Sequence, residues 1–152
     1  VDGVALPNLS MAGEAERCYF LDGAGRCSIH PFRPGFCRLF PLGRVYENGS
    51  FRYFLQIHEC RNENRTKVKI RKWIDTPDIK NYEKFVSDGH YFLKDAETAV
   101  KKTIAADAKK ANEVCLYVLN QFYVKKFETD KNFYQAFYER LEEGRRFLAQ
   151  FL

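Results

Sequence analysis

Four of the five cysteines, Cys18, Cys27, Cys37 and Cys60, lie in the first sixty residues, and the fifth, Cys115, stands alone in the second half. Thiolates are soft ligands, and several of them on short, turn-rich loops are how a small domain holds zinc or an iron–sulfur cluster. An isolated cysteine on a helical apolar stripe serves instead as a small core side chain. The spacings are C-x8-C, C-x9-C and C-x22-C, neither the paired C-x2-C of zinc ribbons nor a ferredoxin run. Spacing alone leaves open both a shared centre and four separate reduced thiols. Wide spacing on irregular loops favours a bulky iron–sulfur cluster over zinc, which usually recruits closely spaced pairs.

A centre held by four thiolates carries a net charge of about −2 with either metal, so it needs cations or N–H donors beside it. Arg26, Arg33 and Arg38 adjoin the cysteines. Arg33 and Arg38 are the candidates for binding the cofactor from the outside, because a planar guanidinium can donate to sulfur or to backbone carbonyls around the site. His30 and His58 also fall near cysteines and could complete a mixed site, although His30 reads better as a packing residue. His90, before Tyr91 and Phe92, reads as structural.

Turns and helices must position these residues. Cys18 to Cys27 contains apolar residues followed by Asp22-Gly23-Ala24-Gly25, the pattern of a short hairpin that would bring the two cysteines together. Pro31, Pro34 and Gly35 break regular structure, so Cys37 is expected on a loop or a single helical turn. Arg44–Tyr46 and Phe51–Phe54 flank Asn48-Gly49, a strong hairpin signal, and this second hairpin returns the chain towards Cys60. In Arg61–Lys72, Val68 and Ile70 alternate with Lys67, Lys69 and Arg71, as in an edge strand or extended arm.

Beyond this point the period changes. Thr76-Pro77-Asp78 predicts a helix start and a short helix to about Val86. A stripe of Val100, Ile104, Ala108, Ala111, Cys115, Val118 and Phe122 predicts a long helix over 95–127, and Phe133, Phe137, Leu141 and Leu148 predict another over 130–152. A short joint near Glu128 and Thr129 makes these an antiparallel pair. The expected fold is α+β: a small cysteine-rich β-hairpin module over 1–75, then a helical C-terminal half over 76–152 with that helix pair, the two packed as one compact domain.

The segment CYFLDGAGRCSIHPFRPGFCRLFPLGR, followed by a hairpin and Cys60, resembles the YkgJ-like cysteine cluster proteins, a family described as zinc- or iron-chelating (CxxCxxCC type). The specific part is carried by Cys27, Ser28, Ile29, His30, Arg33, Pro34, Cys37, Arg38, Phe40 and Pro41. The resemblance spans about residues 5–75, with VALPNLSM and KVKIRKW as weaker matches at its edges. It implies metal chelation. The family also has an upstream C-x2-C-C cluster that this sequence lacks, and the chain opens on Val1 like the interior of a longer protein. Flagellin lysine N-methylase shares the cysteine pattern, which implies a metal-dependent protein-modifying enzyme as an alternative. No glycine-rich strand-to-helix turn for a nucleotide is evident.

Composition bounds the rest. The chain has 152 residues, 45% hydrophobic and 30% charged, as in soluble globular proteins. No apolar run approaches the roughly 20 residues that cross a bilayer, so no membrane partner is expected. An odd number of cysteines fits a full set of disulfides poorly and points to a reducing compartment, the cytoplasm. The net charge of +5 is too small to argue for nucleic acid. The basic run Arg61, Arg65, Lys67, Lys69, Arg71 and Lys72 keeps a zinc-stabilised nucleic-acid module as a third reading, while charge protection of an edge explains it better. The expected function is metal binding through Cys18, Cys27, Cys37 and Cys60 with an iron–sulfur cluster or zinc as cofactor, and with a protein as partner or substrate.

Overall fold

A computed structural model describes residues 3–14, 16–59 and 66–152. Within it the chain divides into two compact units, Asn8–Ile79 and a helical unit of Lys80–Leu152 joined by the N-terminal residues up to Pro7. Cys60, with Arg61 and Arg65 of the basic run, lies outside the described residues.

The Asn8–Ile79 unit is built from short pieces. Strands β1 (Met11–Ala12) and β2 (Arg17–Cys18) form an antiparallel pair with Met11 opposite Cys18. A 3-10 turn over His30–Phe32 leads into the single helical turn α1 (Gly35–Leu39), with Pro34 as its N-cap. Strands β3 (Leu42–Glu47) and β4 (Ser50–Leu55) pair in register from Leu42↔Leu55 to Glu47↔Ser50. Their turn is Asn48-Gly49, with φ of 52° and 74°, the pair of positive angles a two-residue hairpin turn demands. Arg44 crosses the sheet face, its guanidinium 5.2 Å from the Phe51 ring centroid and 5.8 Å from that of Tyr53.

Two expectations change here. The pairing partner of Cys18 is Met11, and the chain from Cys18 to Cys27 closes through one isolated bridge, Leu21↔Cys27. Ile70–Ile74 forms helix α2, where the alternating pattern predicts an extended arm. The helix wins because its C-terminal end is held from elsewhere in the unit: Trp73 Nε1 donates to the Phe40 carbonyl at 3.0 Å, and Arg38 Nη1 donates to the Asp75 carbonyl at 2.8 Å. Asp75 is the left-handed C-cap of α2.

The helical unit runs through α3 (Ile79–Ile104), α4 (Ala108–Leu119), a π-helical turn (Asn120–Val124) and α5 (Phe133–Leu148). Helix α3 is longer than its starting signal suggests, continuing through Gly89 because Phe92, Ala96, Ala99 and Val100 bury one continuous face. The long helix expected over 95–127 breaks at Asp107, whose carboxylate accepts from the Lys109 and Lys110 amides and so caps α4. The break resets the apolar phase. Ile104 and Ala108 are exposed, and α4 buries Ala111, Val114 and Val118.

Helices α4 and α5 run antiparallel, as their contacts show in order: Tyr117 stacks on Phe147, Gln121 bonds Glu143, and Phe127 meets Phe133. Arg140 is buried with its guanidinium donating to the carbonyls of Gln121, Lys125 and Lys126, the open end left by the π turn. Cys115 packs against this core and donates its thiol to the Gly3 carbonyl, so it belongs to the scaffold, as its place on the stripe suggests. No described helix is long and apolar enough to cross a membrane.

Candidate metal centre

Each of the three described cysteines of the first unit is delivered by a different tight feature. Cys18 ends β2, and its carbonyl accepts the Leu21 amide, which turns the chain at once. The loop that follows is built by Asp22, whose carboxylate accepts from the Ala24 and Arg26 amides at 2.9 and 2.8 Å, with Gly25 in the left-handed region at φ 74°. Ser28 donates both its amide and its hydroxyl to the Phe20 carbonyl. These bonds close the loop and hold Cys27 opposite Leu21.

The Cys27 carbonyl accepts the His30 amide and starts the 3-10 turn. Prolines on both sides of Arg33 then limit the backbone, and α1 presents Cys37 in its centre, with the Cys37 amide bonded to the Pro34 carbonyl. The expectation of a loop or single turn around Cys37 is met by this five-residue helix.

The three sulfurs share one electrostatic neighbourhood. Burial raises the Cys37 thiol above its ordinary pKa, the Cys18 and Cys27 thiols raise it further, and the Arg33 guanidinium opposes them. Cys18, Cys27 and Cys37 are all free thiols of intermediate exposure. A thiol held un-ionised, as Cys37 is by burial and neighbouring thiols, is what a divalent metal or a cluster relieves, because its positive charge favours the thiolate.

Among the described residues, no three His, Cys, Asp or Glu side chains converge closely enough to hold a single metal ion. The fourth sequence candidate, Cys60, is outside those residues. His30 and His58 are both exposed. His90 lies in the interior of α3, in the helical unit.

The two arginines diverge in use. Arg38 spends its guanidinium on carbonyls, Nε to Arg33 at 3.2 Å, Nη1 to Asp75 at 2.8 Å and Nη2 to Pro31 at 3.1 Å. Arg33 has its Nε buried without a hydrogen-bond partner among the described residues. A buried N–H beside clustered thiols, left without an acceptor, fits a site meant to carry negative charge. The donor set therefore suits a thiolate-held metal.

Comparison with known families matches residues 5–68 to the CxxCxxCC family, described as a "Putative zinc- or iron-chelating domain". No curated protein and no solved structure matches the chain. The matched segment covers β1 through β4 and all four candidate cysteines, and ends before α2 begins.

Trp73, the chain's one tryptophan, has a role in this unit that its sequence position does not announce. Its indole bond to the Phe40 carbonyl ties α2 to the end of α1, the helix that carries Cys37. The available signal was its membership in the KVKIRKW edge of the resemblance.

Proposed function

We propose that the Asn8–Ile79 unit binds a metal through Cys18, Cys27, Cys37 and Cys60, and that the group held is an iron–sulfur cluster. The observation that supports this reading is that Cys18 and Cys27, delivered by separate backbone features, both act on the Cys37 thiol, and that the buried Arg33 Nε lacks a hydrogen-bond partner among the described residues. The wide spacing of the four cysteines along irregular segments favours a cluster over zinc, which usually recruits closely spaced pairs.

Energetics support a resident metal of either kind. Of the hydrophobic side chains described in this unit, Ile74 alone is fully buried, while Phe32, Phe36, Phe40, Leu55 and Ile57 are exposed. A unit of this size with so little core is the kind that metal ligation stabilises, since binding energy at such a site is folding energy. Bound there, an iron–sulfur cluster supplies one-electron chemistry and zinc supplies a closed structural node. Free thiols of this sort suit a reducing compartment.

Purification without air, followed by metal and acid-labile sulfide analysis, tests the reading. Iron with stoichiometric sulfide is the expected result. Zinc without sulfide would replace the cluster with a structural site, and a chain free of both metals would overturn metal binding altogether.

A further inference from the structure

Arg33 and Arg38 enclose the turn that leads to Cys37 and carry the same side-chain chemistry, yet only Arg33 leaves a buried Nε–H without a partner among the described residues. All three guanidinium nitrogens of Arg38 already donate to carbonyls. The Arg33 Nε is buried and lacks a partner among the described residues. Its backbone is held on both sides: the amide donates to the His30 carbonyl, and the carbonyl accepts from Arg38 Nε. Pro34, next in the chain, keeps Arg33 extended at φ −51° and ψ 134°. Arg33 thus stands as a fixed donor four residues before Cys37, at the entry of the same helical turn.

Resting on the metal-binding reading above, we propose that Arg33 donates its Nε–H to the metal-bound sulfur of Cys37 and thereby sets how much electron density that thiolate gives the metal. Arg38 makes no contact of this kind and acts only to hold the loop. The chemistry supports the division of labour. A metal-bound thiolate has lone pairs left over for an N–H donor, and hydrogen bonds to sulfur are a main means by which a protein adjusts such a centre. The charge of Arg33 also offsets the excess negative charge of the thiolates.

The test uses cobalt(II) as the probe in the whole chain, added anaerobically to the wild type, Arg33→Lys and Arg33→Met, with the thiolate-to-cobalt charge-transfer band as readout and far-UV circular dichroism as the check on folding. A hydrogen bond withdraws density from sulfur, so its loss moves the band to longer wavelength. Both variants are expected to bind as many equivalents as the wild type with the band shifted, and Arg33→Met to bind about tenfold more weakly. Arg33→Lys retains the charge and is expected to recover affinity without recovering the band position. An unchanged band in folded variants overturns the proposal. Folded variants that take up no cobalt overturn it too, by making Arg33 a requirement for assembly. If Arg33→Met does not fold, the band of Arg33→Lys decides alone. A wild type that takes up no cobalt and, supplied anaerobically with iron and sulfide, assembles no cluster overturns the metal reading itself, an outcome distinct from an altered response in the variants.

Discussion

Arg38 reaches across the Asn8–Ile79 unit to the Asp75 carbonyl at 2.8 Å, joining the helical turn that bears Cys37 to the left-handed cap of α2. The same guanidinium closes the loop before it through Pro31 and Arg33. Arg38→Ala should therefore cost about 1–3 kcal/mol, since it leaves three carbonyls to find other donors. Urea unfolding of the metal-loaded protein, followed by near-UV circular dichroism, measures this. Arg38→Lys should recover only part, because an ammonium cannot reproduce the fork.

Metal removal should act on one unit and spare the other. The Asn8–Ile79 unit has Ile74 as its one fully buried hydrophobic side chain among the described residues, whereas the helical unit buries Phe92, Val100, Val114, Val118, Phe137, Leu141 and Leu148. A chelator, or Cys37→Ser, should abolish amide protection in β3 and β4 while α3, α4 and α5 remain protected in hydrogen exchange. Cys115→Ala should leave metal content unchanged and cost about 1 kcal/mol of packing and the bond to Gly3. Equal metal loss in both variants would contradict the assignment.

Two glycines face aromatic rings with different freedom to yield. A Cβ on Gly144 would lie 2.8 Å from the buried Phe92 ring and 3.4 Å from that of Phe122. A Cβ on Gly43 would overlap the ring of its cross-strand partner Phe54, which is exposed and can swing aside. Gly144→Ala is expected to destabilise the helical unit by about 1–3 kcal/mol, and Gly43→Ala to cost less. Thermal melts of the two variants rank them.

Acid should weaken the helical unit in two separate windows. Burial lowers the His90 pKa below its ordinary value near 6.5, and the Lys94 charge lowers it further. The unfolded chain thus binds the proton more readily than the folded one. His90 contributes its stability above pH 6.5 and loses it as pH falls through the folded value. His90→Gln should flatten this part of a stability-against-pH curve. Glu97 has the opposite origin and the same sign: bonds from Lys101 and Lys94 depress its carboxyl from 4.5 to about 2. Its contribution is complete above pH 4.5 and fades towards pH 2, and Glu97→Gln should change only that lower range.

Local chemistry was legible wherever a residue restricts its own backbone. Asn48-Gly49 accepts the two positive φ angles of the β3–β4 turn, and Pro34-Gly35 confines Cys37 to one helical turn. The buried face of α5 could be read from Phe137, Leu141 and Leu148, since a period of 3.6 survives in sequence. Asp107 was a weaker signal. It divides an otherwise unbroken run of helix formers because its carboxylate reaches two free amides of α4, a gain the apolar stripe does not record.

What the sequence determined by itself was the turn-rich, hairpin character of the first unit and the helical nature of the second. Tertiary structure decided the rest. Lys67–Arg71 alternates like a strand over too few residues to exclude a helix, and the bonds of Trp73 to the Phe40 carbonyl and of Arg38 to the Asp75 carbonyl, each spanning more than thirty residues, favour the helix over Ile70–Ile74. Arg33 and Arg38 are indistinguishable as letters beside Cys37. They separate only when the fold supplies three carbonyls to Arg38 and none to Arg33 Nε, because a hydrogen bond depends on where a partner lies in space and a dihedral preference does not.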